Sequence, residues 1–243
     1  MSDFRYYRPD PFPPITKNLI IINVLVFLAQ IGLTQFEVTQ KIQLYPYMSE
    51  ALLDILRGLR VPYYPKGYEF QPYQIATHMF AHGNFMHILF NMFVLWMFGR
   101  TLENVWGPKR FLLFYIICGV GAAFAHLGIQ YFRTEQLLQE IVANRLTDLD
   151  FGAIAPAVGA SGAIMGLLVG FAYLFPNTEL FIMFIPVPVK AKWAVIGYVV
   201  IDLFFGIANM SNDNVARFAH LGGPLTGFIL VLIWNKSKRN RFY

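Results

Sequence analysis

Long apolar runs constrain this chain more than any other feature of its sequence. Six segments approach the roughly 20 apolar residues that a helix needs to cross a bilayer: 17–35, 79–99, 109–131, 157–175, 193–209 and 217–235. Of 243 residues, 56% are hydrophobic and 14% charged, whereas a soluble domain is about 45–50% apolar and about 25% charged. One soluble core cannot hide that much apolar surface, so we predict an all-α polytopic membrane protein of one domain, 1–243.

The first apolar run, "LIIINVLVFLAQIGL" (19–33), also has the character of a signal peptide. Its leader is rich in proline and aromatic residues, and no convincing small-x-small cleavage site follows, which favours a retained span.

The single cysteine, Cys118, excludes an intrachain disulfide. The net charge is +5, and the basic residues behind it lie between the apolar runs rather than on one face. This distribution argues against nucleic acid as a partner and indicates a signal for membrane topology.

The distribution of basic residues predicts the orientation in the membrane. With six spans, both termini share one side, and the tails and the short loops 100–109 and 176–192 are the richer in lysine and arginine. The positive-inside rule therefore places both termini in the cytoplasm, and the protein is expected in a cell (plasma or inner) membrane.

The long first loop, about 36–78, then lies outside the cytoplasm. Its segment "SEALLDILRGL" (49–59) has an apolar stripe at helical spacing and Ser49 as N-cap, which predicts an interfacial helix.

Polar residues gather at one depth of this predicted bundle. Spans two, four and six all run inward, and their first turns carry His78, His82, His87 and Asn91, then Ser161, then His220. Polar groups in hydrocarbon are costly and usually face the bundle interior or a water-filled cavity. The agreement in depth predicts a site somewhat below the outer surface.

A serine next to a histidine is the arrangement of nucleophilic catalysis, because histidine removes the serine proton at a separation of about 2.6–3.2 Å. Helix axes usually lie about 8–10 Å apart, so this contact favours small residues at the crossing. Such residues recur at spacings of four on both helices: Gly162, Gly166 and Gly170 on span four, and Gly223 and Gly227 on span six. We predict that Gly159 and Gly162, on either side of Ser161, bring it against His220. Dimerisation through Gly223 and Gly227 is the alternative.

Other polar residues in the spans have more than one interpretation. His87 and Asn91 share a helix face and, with the Ser161 N–H, are candidate donors to an oxyanion. His78 and His82 have a spacing that also suits zinc, but HExxH and an obvious third ligand are lacking, so we expect no metal and no cofactor.

Two acidic residues are also placed by the sequence. Asp202 is a carboxylate near the middle of span five, which favours a functional hypothesis by default. That depth is predicted to be below the Ser161 layer, so we favour a structural hydrogen bond over a proton or gating role. Glu103 with Arg100 is interpreted as a helix-end network.

Three segments, "HMFAHGNFMHILFN", "GASG" and "AHLGGPLTG", together resemble the rhomboid intramembrane serine proteases, in the family's order and over nearly the whole chain. The resemblance implies a six-transmembrane-helix bundle with a Ser161–His220 dyad and no third acidic member. It further implies oxyanion contacts from His87 and Asn91. Supporting roles are implied for His78, His82, Gly159 and Gly162.

The chain departs from bacterial rhomboids at two places. Met165 stands where those members carry an aromatic on which the base stacks, which implies an altered rate. Tyr73 and Gln74 replace a Trp-Arg pair of the first loop, which bears on how that loop is anchored.

The expected activity is that of an intramembrane endopeptidase whose partners are transmembrane-protein substrates and the lipid bilayer. Segment 210–216 is expected to cap the site, and span five to act as a lateral gate. One alternative is a non-catalytic rhomboid relative that binds membrane clients, although such relatives generally lack the serine or the histidine. Another is a transporter, whose signature would be paired broken helices in two related halves. The sequence predicts neither the substrate nor the oligomeric state.

Overall fold

A computed structural model describes residues 9–58, 69–143, 154–181, 187–207 and 214–239. Within these ranges the α-helices are α1 (Pro14–Gly32), α2 (Val38–Ile42), α3 (Glu50–Gly58), α4 (Gln74–Thr77), α5 (Phe85–Val94), α6 (Arg100–Trp106), α7 (Pro108–Val142), α8 (Ser161–Leu174), α9 (Ala191–Ile207) and α10 (Asn214–Arg239). A π-helical segment, Leu95–Gly99, joins α5 to α6. Two short antiparallel strands, β1 (Glu179–Leu180) and β2 (Val189–Lys190), precede α9.

Three of the described helices are long and apolar enough to cross a membrane: Pro14–Gly32, Phe85–Trp106 and Pro108–Val142. The helix α8 is apolar but shorter. Large apolar side chains face outward on these helices, including Leu25 at 59% and Phe124 at 59% exposure. A soluble protein rarely exposes so much contiguous apolar surface, so the prediction of a helical membrane protein is confirmed.

The second span was predicted at 79–99, and both of its ends are wrong. The helix begins at Phe85 because Asn84 has an extended backbone and its side chain accepts a hydrogen bond from the His87 N–H at 2.9 Å, as an N-cap does. It continues to Trp106 and ends where Gly107 adopts a φ of 79°. Most of the predicted 100–109 loop is therefore helix.

The third span, predicted at 109–131, is much longer in the structure. The helix α7 has 35 residues, about 52 Å at 1.5 Å per residue, which exceeds the roughly 30 Å hydrocarbon core of a bilayer. Its last turns, 132–142, extend beyond the predicted end of the span. Leu137 on this extension packs in one cluster with Leu52 and Leu56 of α3.

This contact corrects the predicted environment of α3. The helix itself is present, and the Ser49 hydroxyl accepts a hydrogen bond from the Leu52 N–H at 3.4 Å, as predicted for an N-cap. Its apolar face, however, is buried against protein: Leu52 and Leu56 are 1% and 0% exposed. The extension of α7 supplies the apolar surface that was expected to be lipid.

The last three helices are shifted relative to the sequence-based bounds. The helix α8 begins at Ser161 rather than 157, α9 covers Ala191–Ile207 rather than 193–209, and α10 covers Asn214–Arg239 rather than 217–235. The predicted loop 176–192 contains β1 and β2, and its last two residues begin α9. Residues 210–213 of the predicted cap lie outside the described residues, and 214–216 form the start of α10.

Glu103 attaches the N-terminus of α1 to α6. Its carboxylate accepts hydrogen bonds from the N–H of Ile15 at 2.9 Å and from the N–H and hydroxyl of Thr16 at 2.7 and 2.8 Å. A carboxylate is favourable there because the first N–H groups of a helix lack partners and the helix dipole is positive at that end. The predicted network with Arg100 is wrong, since that guanidinium lies over the Trp96 ring at 4.3 Å.

Replacing this carboxylate is predicted to destabilise the fold. Glu103→Gln places an amide N–H₂ against a helix N–H and removes charge-assisted hydrogen bonds, which contribute about 1.5–3 kcal/mol each. The unfolding temperature in detergent should fall clearly. The matched variant Glu50→Gln, at an exposed position, should change stability by no more than about 0.5 kcal/mol. Equal stability of Glu103→Gln and wild type would contradict the assigned contact.

Candidate active site

Ser161 is the first residue of α8, and backbone hydrogen bonds fix the segment that precedes it. Ala157 and Leu44 exchange two backbone hydrogen bonds of 2.9 and 2.8 Å, and the Gly159 N–H donates to the His78 carbonyl at 2.9 Å. Gly159 has a φ of 121°, and a Cβ there would lie 2.8 Å from the His87 ring. Glycine is therefore required at 159 both for the backbone conformation and for the close approach of His87.

The helices α8 and α10 cross at glycine contacts. A Cβ at Gly223 would lie 1.8 Å from the Gly162 carbonyl oxygen, and one at Gly227 would lie 3.0 Å from the Gly166 carbonyl oxygen. Both glycines of α10 thus pack inside the chain, as predicted. Two glycines of span four serve other contacts: Gly170 faces Trp106, and Gly159 makes room for His87 rather than for α10.

This crossing brings together the two residues singled out from the sequence. Ser161 Oγ lies 3.0 Å from His220 Nε2, within the range in which a histidine accepts a serine proton. The His220 side chain is 28% exposed, so it is reachable from the cavity beside it. The predicted contact between spans four and six is present.

The other ring nitrogen of His220, Nδ1, contacts α9. Asp202 Oδ2 lies 3.2 Å from His220 Nδ1, and the Tyr198 hydroxyl lies 3.3 Å from the same nitrogen. The Tyr198 hydroxyl also donates a hydrogen bond to Asp202 Oδ2 at 2.9 Å. The predicted depth of Asp202 is therefore wrong, whereas the predicted hydrogen bond is present.

The helix ends explain this error in depth. Asp202 lies five residues before the end of α9, and His220 lies six residues after the start of α10. At 1.5 Å per residue, the two residues are therefore at nearly the same distance from the connection between their helices. Tyr198 was missed altogether, although its spacing of four residues from Asp202 on a helix was a usable signal.

A cavity of about 390 Å³ opens beside Ser161. His78, His87, His126 and His220 also line it, so it offers polar partners to water and has room for several water molecules of about 30 Å³ each. His126, on α7, is a further site residue that the sequence interpretation missed. In the predicted topology the third span runs outward, so a histidine near the outer end of the predicted 109–131 segment is expected in the same layer as residues at the start of the inward-running spans.

His87 and Asn91 are arranged differently from each other. The His87 ring lines the cavity, whereas Asn91 is absent from its described lining. One amide N–H of Asn91 donates to the His87 backbone carbonyl at 3.0 Å, four residues earlier on the helix. This local hydrogen bond is a common alternative for polar side chains within helices, and it turns the amide along α5.

His78 and His82 lie in the segment before α5, and their contacts hold that segment in place. His78 Nδ1 donates to the Gln74 carbonyl at 3.0 Å. The backbone of His82 is held by both ends of the Gln30 amide, with distances of 3.0 and 3.2 Å, and its ring lies edge-on to His87. Burial lowers the pKa of His78 and of His82 to about 4, so both rings are neutral at pH 7.

Met165 occupies the next turn of α8 after Ser161 and is half-buried. The aromatic residue that contacts His220 is Tyr198 on α9, and the contact is made by its hydroxyl.

A sequence model of the rhomboid domain matches residues 69–237, well over half of the chain. The chain belongs to the rhomboid family. Among its relatives is Rhomboid protein 1, mitochondrial, from Saccharomyces cerevisiae, which is 26% identical over 93% of this chain and 54% of the relative. This chain is also 26% identical to Rhomboid protease GluP of Bacillus subtilis, over 70% of this rhomboid and 27% of GluP.

Presenilin-associated rhomboid-like protein A, mitochondrial, of Danio rerio is 30% identical over 65% of this chain and 38% of that protein. This rhomboid thus spans about half or less of the length of these relatives. The relatives come from bacteria and from mitochondria, so family membership shows a multi-pass membrane protein without fixing the compartment.

The glycine crossing yields a stability prediction. Gly223→Ala places a methyl group on the Gly162 carbonyl and must push α8 and α10 apart; overpacking of this kind costs about 1–3 kcal/mol or more. The unfolding temperature in detergent should fall. The matched variant Gly197→Ala, where a Cβ meets nothing within 4 Å, should be neutral or stabilising by up to about 1 kcal/mol. A neutral Gly223→Ala would contradict the crossing.

Proposed function

We propose that this rhomboid is an intramembrane serine endopeptidase that cleaves transmembrane helices of other proteins near their extracytoplasmic ends. The observation that carries the proposal is the 3.0 Å contact between Ser161 Oγ and His220 Nε2 at the edge of a cavity that several histidines line. A hydrolase in lipid needs both a nucleophile and water, and this cavity offers room for water where the nucleophile stands.

The proposed reaction follows the chemistry of acyl transfer. Ser161 Oγ attacks the carbonyl carbon of the scissile bond while His220 Nε2 takes the hydroxyl proton, and the imidazolium then gives that proton to the leaving amine. Water hydrolyses the acyl-enzyme by the same steps, with His220 as the base. Ser161 is regenerated when the acyl group leaves as a carboxylate.

The oxyanion of the tetrahedral intermediate needs donors that are already in place. The Ser161 N–H belongs to the first turn of α8 and has no acceptor within the helix. The His87 ring faces the same cavity. Asn91 remains a candidate because its amide has a second N–H besides the one given to His87.

The proposed arrangement in the membrane has six spans with both termini in the cytoplasm. The helices α8, α9 and α10 complete the set begun by the three long apolar helices. The first loop, with α3 packed on the outer part of α7, then lies on the extracytoplasmic side and supports the segment before Ser161. The cavity opens to that side, and a substrate helix enters from the bilayer, unwinding locally where small residues weaken it.

Labelling with a fluorophosphonate tests the nucleophile. Wild-type protein in lipid nanodiscs should form a covalent adduct on Ser161 and cleave a single-span test peptide with a Gly/Ala/Ser-rich segment near its outer end. Ser161→Ala should lose both activities, at least about 10³-fold, because no other group replaces the hydroxyl.

The matched control is Ser49→Ala, which removes a hydroxyl from the N-cap of α3, and it should keep both labelling and cleavage. Folded wild-type protein that is neither labelled nor active on the peptide would overturn the protease assignment in favour of a client-binding rhomboid. Equal labelling of wild type and Ser161→Ala would overturn the choice of nucleophile.

Cysteine accessibility tests the orientation. The only native cysteine, Cys118, is fully buried, so an introduced cysteine is the reactive one. In intact cells a membrane-impermeant maleimide should label Tyr47→Cys, at a position 62% exposed, and should label Lys236→Cys only after permeabilisation. The parent protein is the control, and the reverse pattern would contradict the proposed topology.

A further inference from the structure

The contacts of His220 on the side away from Ser161 carry a second inference. The imidazole has a polar neighbour at each nitrogen: Ser161 Oγ at Nε2 and the Asp202 carboxylate at Nδ1. The serine, histidine and carboxylate come from three consecutive helices in the structure, α8, α10 and α9. The inference rests on the proposed function and concerns how that site is prepared for catalysis.

Asp202 is turned into the bundle while its neighbours on α9 are not. It is 5% exposed, whereas Ile201 and Leu203 are 55% and 41% exposed. A carboxylate facing hydrocarbon is costly, so burial within the protein is expected, but burial alone does not require a histidine nitrogen as the neighbour. The side chain instead reaches the one imidazole that also contacts Ser161.

The hydrogen-bond directions follow from the chemistry of the groups. The Tyr198 hydroxyl has one proton, which it donates to Asp202 Oδ2. Its oxygen, at 3.3 Å from His220 Nδ1, is then an acceptor. Since both neighbours of Nδ1 accept, Nδ1 carries the proton, and the lone pair of the neutral ring is left on Nε2, facing Ser161.

We infer that Asp202, held by Tyr198, is a positioning residue that fixes the His220 tautomer and stabilises the imidazolium, so that this rhomboid works with a Ser–His–Asp arrangement rather than a dyad alone. During attack the Ser161 proton moves to Nε2, while the Nδ1 proton stays between the ring and the carboxylate. Asp202 gains no proton and forms no covalent bond. The positive charge that develops on the ring is compensated at about 3 Å by the carboxylate.

Other titratable groups face the same cavity, so a readout specific to His220 is needed. His78, His87 and His126 line it from the loop before α5, from α5 and from α7. Cys118 lies on α7 beside Gly166 of α8. The test therefore uses a signal from the His220 ring together with kinetics.

The experiment combines ¹⁵N-histidine NMR with cleavage of the test peptide, on the full chain in nanodiscs. With His220 assigned through His220→Gln, the wild-type ring should show the Nδ1–H tautomer at a pH where it is neutral. Asp202→Asn should lose this preference and lower kcat by about 10²-fold or more with little change in KM, because general-base catalysis of this kind contributes about 10²–10⁴-fold. Tyr198→Phe, which removes only the hydroxyl, should lower kcat several-fold.

Glu103→Gln is the matched control, since it also converts a buried carboxylate to an amide, at the contact with α1. It should lower the unfolding temperature but leave the His220 tautomer and kcat unchanged. If Asp202→Asn does not fold, Tyr198→Phe and the wild-type spectrum decide.

A wild-type ring with Nε2–H, or a folded Asp202→Asn with unchanged kcat and tautomer, would overturn the inference. Lack of fluorophosphonate labelling in the wild type would instead overturn the proposed function, while the tautomer would still report the contact.

Discussion

The close approach of α8 and α10 is the constraint on which the candidate site depends. The Gly162 carbonyl occupies the space that a side chain at Gly223 would need, and the Gly166 carbonyl lies against Gly227 one turn further on. Between helices in a bilayer there is little hydrophobic driving force, so packing of small residues supplies much of the association. At this distance a short serine side chain reaches an imidazole on the neighbouring helix without any loop in between.

The rest of the structure holds that pair in register. The segment before Ser161 is fixed by backbone hydrogen bonds to Leu44 and His78, and Gln30 on α1 fixes the backbone of His82. From the other side, α9 presents Asp202 and Tyr198 to the imidazole. If α9 is the lateral gate expected from the sequence, swinging it away would remove the carboxylate neighbour of His220, so the proposed mechanism requires α9 to be docked when the proton is transferred.

The sequence was sufficient where a single spacing determined the outcome. Glycines four residues apart predicted a close crossing, and polar residues in inward-running spans predicted that Ser161 and His220 would meet. It was insufficient where the outcome depended on helix ends: the bounds of α9 and α10 place Asp202 level with His220. The 35 residues of α7 cover the face of α3 that was assigned to lipid. The direction of the Asn91 amide depends on a local hydrogen bond that spacing does not encode.

An experimental structure of the protein after reaction with a fluorophosphonate tests the central claim most directly. The account predicts phosphorus bonded to Ser161 Oγ, a phosphoryl oxygen near the first N–H groups of α8 and His87, and His220 between the adduct and Asp202. Phosphorus on another residue, or a Ser161 side chain separated from His220 by lipid or by another helix, would contradict it.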